Sequence, residues 1–129
     1  MTISILNLIV DMFHIIFMFI PFIVLLVPLN VLKKYILTLK IVFLLYILTP
    51  VHWLIFDNEC ILTLYSKKRG TLNNDVRNAF SKKYLSYIYY PILRLFNAPI
   101  NDKYITRIIG VHWLLMLLSF WYVVCIKLN

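Results

Sequence analysis

The sequence predicts an all-α integral membrane protein with three transmembrane helices and an amphipathic interfacial helix, built as one domain over residues 1–129. Three observations carry that prediction. Hydrophobic residues make up 63% of the chain, and mean hydropathy is +0.88, whereas soluble domains are about half apolar. The apolar residues form long unbroken runs, not the short period-2 segments of a small barrel. The net charge is +8, and the basic residues concentrate outside those runs, as in a membrane protein sorted by its loops.

The first run extends over residues 3–29, long enough to cross a hydrocarbon core of about 30 Å with some tilt. Asp11 and His14 lie three residues apart in its first half and so share a helix face. Pro21 and Pro28 in its second half predict a kink or an early end. The start has no basic region and no small-residue cleavage site, so it reads as a retained anchor. A basic connection, Asn30 to Lys34, leads to the second run over residues 35–56, where Lys40 can snorkel and Pro50 stands near the end. The third run covers residues 104–126.

Between the second and third runs lies a basic stretch, residues 57–103. Its apolar piece from Ile61 to Tyr65 is too short to cross. From Val76 to Phe96, the residues Phe80, Tyr84, Tyr87, Ile88, Pro91 and Leu95 recur at helical spacing, with Arg77, Ser81 and Lys82 elsewhere. That pattern predicts the interfacial helix. A four-span alternative would make residues 84–98 a crossing, but the segment is short and carries Arg94. Because the 57–103 stretch is richest in Lys and Arg, the positive-inside rule puts it and the N-terminus on the cytoplasmic side and the C-terminus outside.

The tetrapeptide Val-His-Trp-Leu occurs at 51–54 and again at 111–114, so two of the three histidines share one frame. With three spans, His14 lies about 15 Å and His112 about 12 Å from the cytoplasmic boundary, and His52 about one turn from it. Asp11, His14, His52, Asp57, Glu59, Cys60, Thr63 and His112 then form a candidate polar cluster in one leaflet, where ionisable groups face the protein interior. A fourth span would dissolve it. The plainer reading makes the aromatic residues Trp53, Trp113, Trp121, Tyr84 and Tyr87 interfacial anchors and the repeated tetrapeptide a coincidence. Lys67, Lys68, Arg69, Lys82 and Lys83 are the candidate contacts to anionic lipid headgroups.

His52, Trp53, Cys60, Leu62 and Thr63 form a His-Trp, polar loop, Cys-x-Leu-Thr pattern. It resembles the bacterial DUF2784 family of small membrane proteins and similar short hypothetical proteins of large DNA viruses. Those bacterial proteins commonly have Pro where this chain has Ile61 and Glu where it has Ser66. The resemblance implies a small multi-span membrane protein and brings no activity with it. The abundance of Ile, Asn, Lys, Tyr and Phe fits an A+T-rich genome, a large DNA virus among the candidates.

The expected role is non-enzymatic: a structural or accessory component of a membrane assembly or virion membrane. The basic balance is assigned to topology and anionic lipid, with no nucleic acid. A protein partner or self-association is expected, although few Gly and Ala leave no GxxxG face. No cofactor is predicted. The alternative is a metal- or haem-binding protein using His14, His52 and His112 with Cys60, since imidazole and thiolate are good transition-metal ligands; no H-x-x-x-H or C-x-x-C spacing supports it. A headgroup- or proton-handling site could use His52, Asp57 and Glu59, and a nucleophile–base pair could use Cys60 with His52. Gly70 and Gly110 are the only glycines, which excludes a phosphate-binding Gly loop. Cys60 and Cys125 fall about a bilayer apart, too far for a disulfide.

Overall fold

The structure is a computed structural model that describes residues 2–56, 59–70 and 72–129, with the side chains of residues 2–4 outside the description. Asp57 of the candidate cluster lies outside the described residues. All regular elements among the described residues are helical. They are α1 (Thr2–Leu26), α2 (Leu29–Lys34), α3 (Ile36–Ile47), α4 (Thr49–Ile55), α5 (Ile61–Lys68), α6 (Ser86–Leu95) and α7 (Asp102–Trp121). A π-helical segment, Ser81–Leu85, leads into α6, and another, Tyr122–Lys127, extends α7. Among the described residues, three stretches are long and apolar enough to cross a membrane: Ile5–Leu26, Ile36–Ile55 and Asp102–Lys127.

Each long helix shows its apolar side chains outward. Ile5, Leu8, Ile9, Phe13 and Ile16 on α1, and Leu37, Ile41, Leu44 and Leu45 on α3, are more than half exposed. The inward stripe of α1 is Asn7, Asp11, His14, Met18, Pro21 and Val24, a spacing of four and three that keeps one helical face. Its first half is polar and its second half apolar. That inversion of the soluble pattern suits an apolar solvent, in which polar groups need protein partners.

The register of contacts fixes the helix directions. Met18 in α1 meets His112 in α7, and Leu25 meets Lys127, so α1 and α7 run the same way. Trp113 meets Tyr46, and Phe120 meets Phe43, so α3 runs opposite to α7. Local signals set the ends. Pro28 cannot donate to continue α1 and becomes the N-cap residue of α2. Asn101 caps α7 by accepting from the Tyr104 N–H at 3.1 Å. After α6, Asn97 takes a left-handed φ of 54°, and the Ala98 N–H returns to the Leu93 carbonyl at 2.8 Å, closing a Schellman turn.

The helix through residues 81–95 differs in register from the sequence prediction. Its inward residues are Ser81, Leu85, Tyr89 and Leu93, with Phe80 buried just before them. Tyr87 is 86% exposed and Leu95 78% exposed. Ser81, expected on the polar outer face, is buried. The π-helical segment is the cause: it takes an extra residue per turn, so a stripe begun at Phe80 continues at Leu85 and Tyr89 rather than at Tyr84 and Tyr87.

Candidate functional site

Two proline defects in the long helices are met by polar side chains from a neighbouring helix. Pro21 has no N–H, so the carbonyl four residues earlier, Phe17, loses its helical donor. The Tyr46 hydroxyl of α3 donates to that carbonyl, and the two rings stack at 4.5 Å. Pro50 does the same to the carbonyl of Tyr46. There the indole Nε1–H of Trp113 donates at 3.1 Å. Prolines are tolerated inside membrane helices where a neighbouring helix supplies the missing donor, and here both donors cross from another long helix.

The second Val-His-Trp-Leu copy is therefore a pair of backbone plugs. Trp113 serves α3–α4, and its neighbour His112 serves α1. The His112 Nε2 lies 2.9 Å from the Met18 carbonyl, which sits beside the proline defect. A carbonyl only accepts, so Nε2 carries the proton and Nδ1 accepts from the Tyr89 hydroxyl at 2.6 Å. Burial pushes the Tyr89 phenol above its usual range, which keeps it a donor. The first copy acts differently. His52 Nε2 accepts from the Ile61 N–H at 2.8 Å, satisfying an unpaired donor at the start of α5. Trp53 packs edge-on against Trp113 at 6.2 Å.

A second knot ties α1 to the segment that follows α4. Asp11 is 1% exposed and accepts from the hydroxyls of Ser66 in α5 and Tyr84 in the π-helical segment. Burial first, and the Asp11 carboxylate second, push the Tyr84 phenol up, so it keeps the proton it donates. Asn7 lies 3.4 Å from the Arg69 carbonyl. At the far end, Lys127 Nζ donates to the Leu25 and Val27 carbonyls, both at 3.0 Å, at the C-terminal end of α1 where carbonyls lack helical partners.

The remaining candidates divide. Glu59 pairs with Lys67, and Lys82 pairs with Asp102 at 2.6 Å. Arg69 lies over the Tyr65 ring and Lys83 over the Tyr84 ring, while Lys68 is exposed. Trp121 is exposed near the end of α7. Thr63 is buried on α5. Cys60 is the N-cap residue of α5, and Cys60 and Cys125 are both free thiols. Burial pushes the Cys60 thiol up, partly offset by the Leu62 and Thr63 N–H groups. An activated nucleophile needs the opposite shift, and His52, the candidate base, is bound to Ile61. Alkylation of Cys60 is expected to rise with pH and to inflect above the range of an ordinary thiol; a maleimide pH–rate profile with a plateau near neutrality would contradict this.

The three histidines have separate partners. His112 and His52 are bound as described, and His14 stacks on Phe80 at 3.8 Å. Among the described residues, no three of His, Cys, Asp and Glu group closely enough to hold a metal ion. What part of the cluster shares is a cavity of about 270 Å³, lined by His14, Glu59, Cys60 and Thr63 together with Trp53 and Trp113. Tyr46, Ser66 and Tyr89, which complete the polar knots, were not expected from the sequence. A signal for Tyr46 and Trp113 did exist: each mid-span proline names the carbonyl four residues before it as needing a donor. No family model, curated protein or solved structure matches the chain.

Proposed function

We propose that the chain is a small multi-pass membrane protein with a non-enzymatic role, a structural or accessory component of a membrane assembly or virion membrane. The observation that carries this reading is the use made of the polar side chains. Asp11, His52, His112 and Trp113 are each spent on joining helices or on backbone groups left open by prolines and helix ends. The outward apolar faces of α1, α3 and α7 suit lipid or a protein partner. The resemblance of the His52–Thr63 stretch to small multi-span membrane proteins points the same way. The test is size. In mild detergent at several concentrations, the protein should run as a self-associated species, or co-purify with a fixed partner from its native membrane. A sharp monomer without partners under both conditions would overturn the reading.

The arrangement in the membrane that fits best has three spans. With α1 and α7 parallel and α3 opposed, the chain between residues 56 and 102 starts and ends on one side. The helix over 81–95 then lies along the bundle at the interface and makes no complete crossing. Lys68 and Arg69, on the same side, would meet anionic headgroups, and the positive-inside rule puts that side in the cytoplasm. Single cysteines at Ser4, Asn73 and Asn129, in a chain lacking Cys60 and Cys125, should label with Ser4 and Asn73 together and Asn129 from the opposite side. Labelling of all three from one side would require four spans.

A further inference from the structure

Among the described residues, two buried side-chain polar atoms lack a hydrogen-bond partner, Asn7 Oδ1 and His14 Nδ1, and Asn7 is already engaged with Arg69 through its amide nitrogen. His14 is 6% exposed. A buried polar group left unpaired costs about 1–3 kcal/mol, and each such group calls for an explanation. His14 forms part of the wall of the 270 Å³ cavity. Flat rings make much of the rest of that wall: Phe17, Trp53, Phe80 and Trp113. Thr63 and Ser81 also line it. Gly110 contributes to the lining, and a Cβ added there meets nothing within 4 Å, so the α7 wall stands back from the space. These features match those of small-molecule sites: a mostly apolar concavity with a few converging polar groups.

We propose that this cavity binds a lipid-soluble, single-ring compound bearing ring oxygens, of the quinone or phenol class, with an oxygen hydrogen-bonded to the His14 ring. Size and shape select the class. Pockets for drug-sized ligands run about 300–1,000 Å³, so this one admits one substituted ring. Aromatic walls favour a flat ring by offset or edge contacts. The polar His14 ring in a mostly apolar wall selects a ligand with an oxygen, since a purely apolar ring would offer the imidazole no partner. The inference stands apart from the accessory role: a component of an assembly can hold such a ligand or lack it.

Replacing Trp121 with Phe leaves Trp53 and Trp113, both in the cavity wall, as the only indoles. In nanodiscs, their fluorescence is titrated with 2,3-dimethoxy-5-methyl-1,4-benzoquinone. The expected result is saturable quenching, relieved by 2,6-dimethylphenol and unaffected by 1,2,4-trimethylbenzene. His14→Phe keeps a ring against Phe80 and removes the nitrogens; it should weaken binding about tenfold, the factor of one buried hydrogen bond. Gly110→Leu acts from a different helix and should also weaken binding at least tenfold by filling the space, with helicity by circular dichroism unchanged. Quenching that grows linearly with quinone in the bilayer and is equal in all variants would overturn the proposal. So would competition by trimethylbenzene with no effect of His14→Phe, because the cavity would then take any apolar molecule, a lipid chain included.

Discussion

Tyr46→Phe is expected to destabilise the bundle by about 1–3 kcal/mol, the cost of leaving a buried acceptor unmade. That exceeds the average interhelical hydrogen bond in membranes, which is only about 0.6 kcal/mol because an abandoned group usually finds another partner. The Phe17 carbonyl has no such alternative. Its helical donor would be the N–H of residue 21, and residue 21 is proline. The same reasoning yields a sharper test. In a Pro21→Ala background the carbonyl regains a helical donor, so Tyr46→Phe should cost no more than the ordinary bond. The double-mutant cycle, read by reversible unfolding in mixed micelles with SDS, should show coupling of about 1 kcal/mol or more. Packing changes at residue 21 enter both arms and cancel. Trp113 and Pro50 form a second cycle of identical logic. Equal Tyr46→Phe costs with and without Pro21 would mean that the hydroxyl contact is incidental.

Asp11→Ala should be the most damaging single change to a polar residue, at roughly 3 kcal/mol or more. It leaves two hydroxyls, Ser66 and Tyr84, without their acceptor, at about 1–3 kcal/mol each. It also cuts a joint between α1 and α5, leaving Asn7 at the Arg69 carbonyl and His14 stacked on Phe80 as the remaining ties of α1 to the 61–85 region. Asp11→Asn retains one acceptor oxygen and offers an N–H₂ to the other hydroxyl, so it should cost about 1 kcal/mol. The same unfolding assay measures both. A cost for Asp11→Ala below about 0.5 kcal/mol would show that the two hydroxyls find other partners and that the knot is not a structural joint.

The long helices were legible because their signal is local. Twenty or more consecutive apolar residues specify a span wherever they occur, and the three long apolar helices, Ile5–Leu26, Ile36–Ile55 and Asp102–Lys127, fall within a few residues of the runs read from the sequence. That Asp11 and His14 would share a face also followed from spacing alone, and both lie on the buried stripe of α1. The inner face of the 81–95 helix was not legible, because periodicity assumes one constant turn and the π-helical segment Ser81–Leu85 breaks it. Nor could the roles of the two Val-His-Trp-Leu copies be read. Pro21 and Pro50 mark the deficient carbonyls in one dimension, but which ring reaches them depends on how helices 29 and 67 residues apart pack. Identical tetrapeptides therefore do different work: His112 and Trp113 donate to carbonyls, while His52 accepts from an N–H.

The order of those donors along the chain bears on how the protein is made. The gap that Pro21 opens is closed by Tyr46, the gap that Pro50 opens by Trp113, and the end of α1 by Lys127, which follows Leu25 by 102 residues. In a bilayer, each helix would thus enter before the residue that completes it has been made. Until then its open carbonyls must be served by water or by the insertion machinery, since lipid offers no donor. Assembly has a built-in direction: α1 cannot be finished before α3, nor α3 before α7. In a membrane, the last helix would arrive as the piece that seals the two earlier ones, and a chain released before it would carry unsealed helices, a form open to surveillance and degradation.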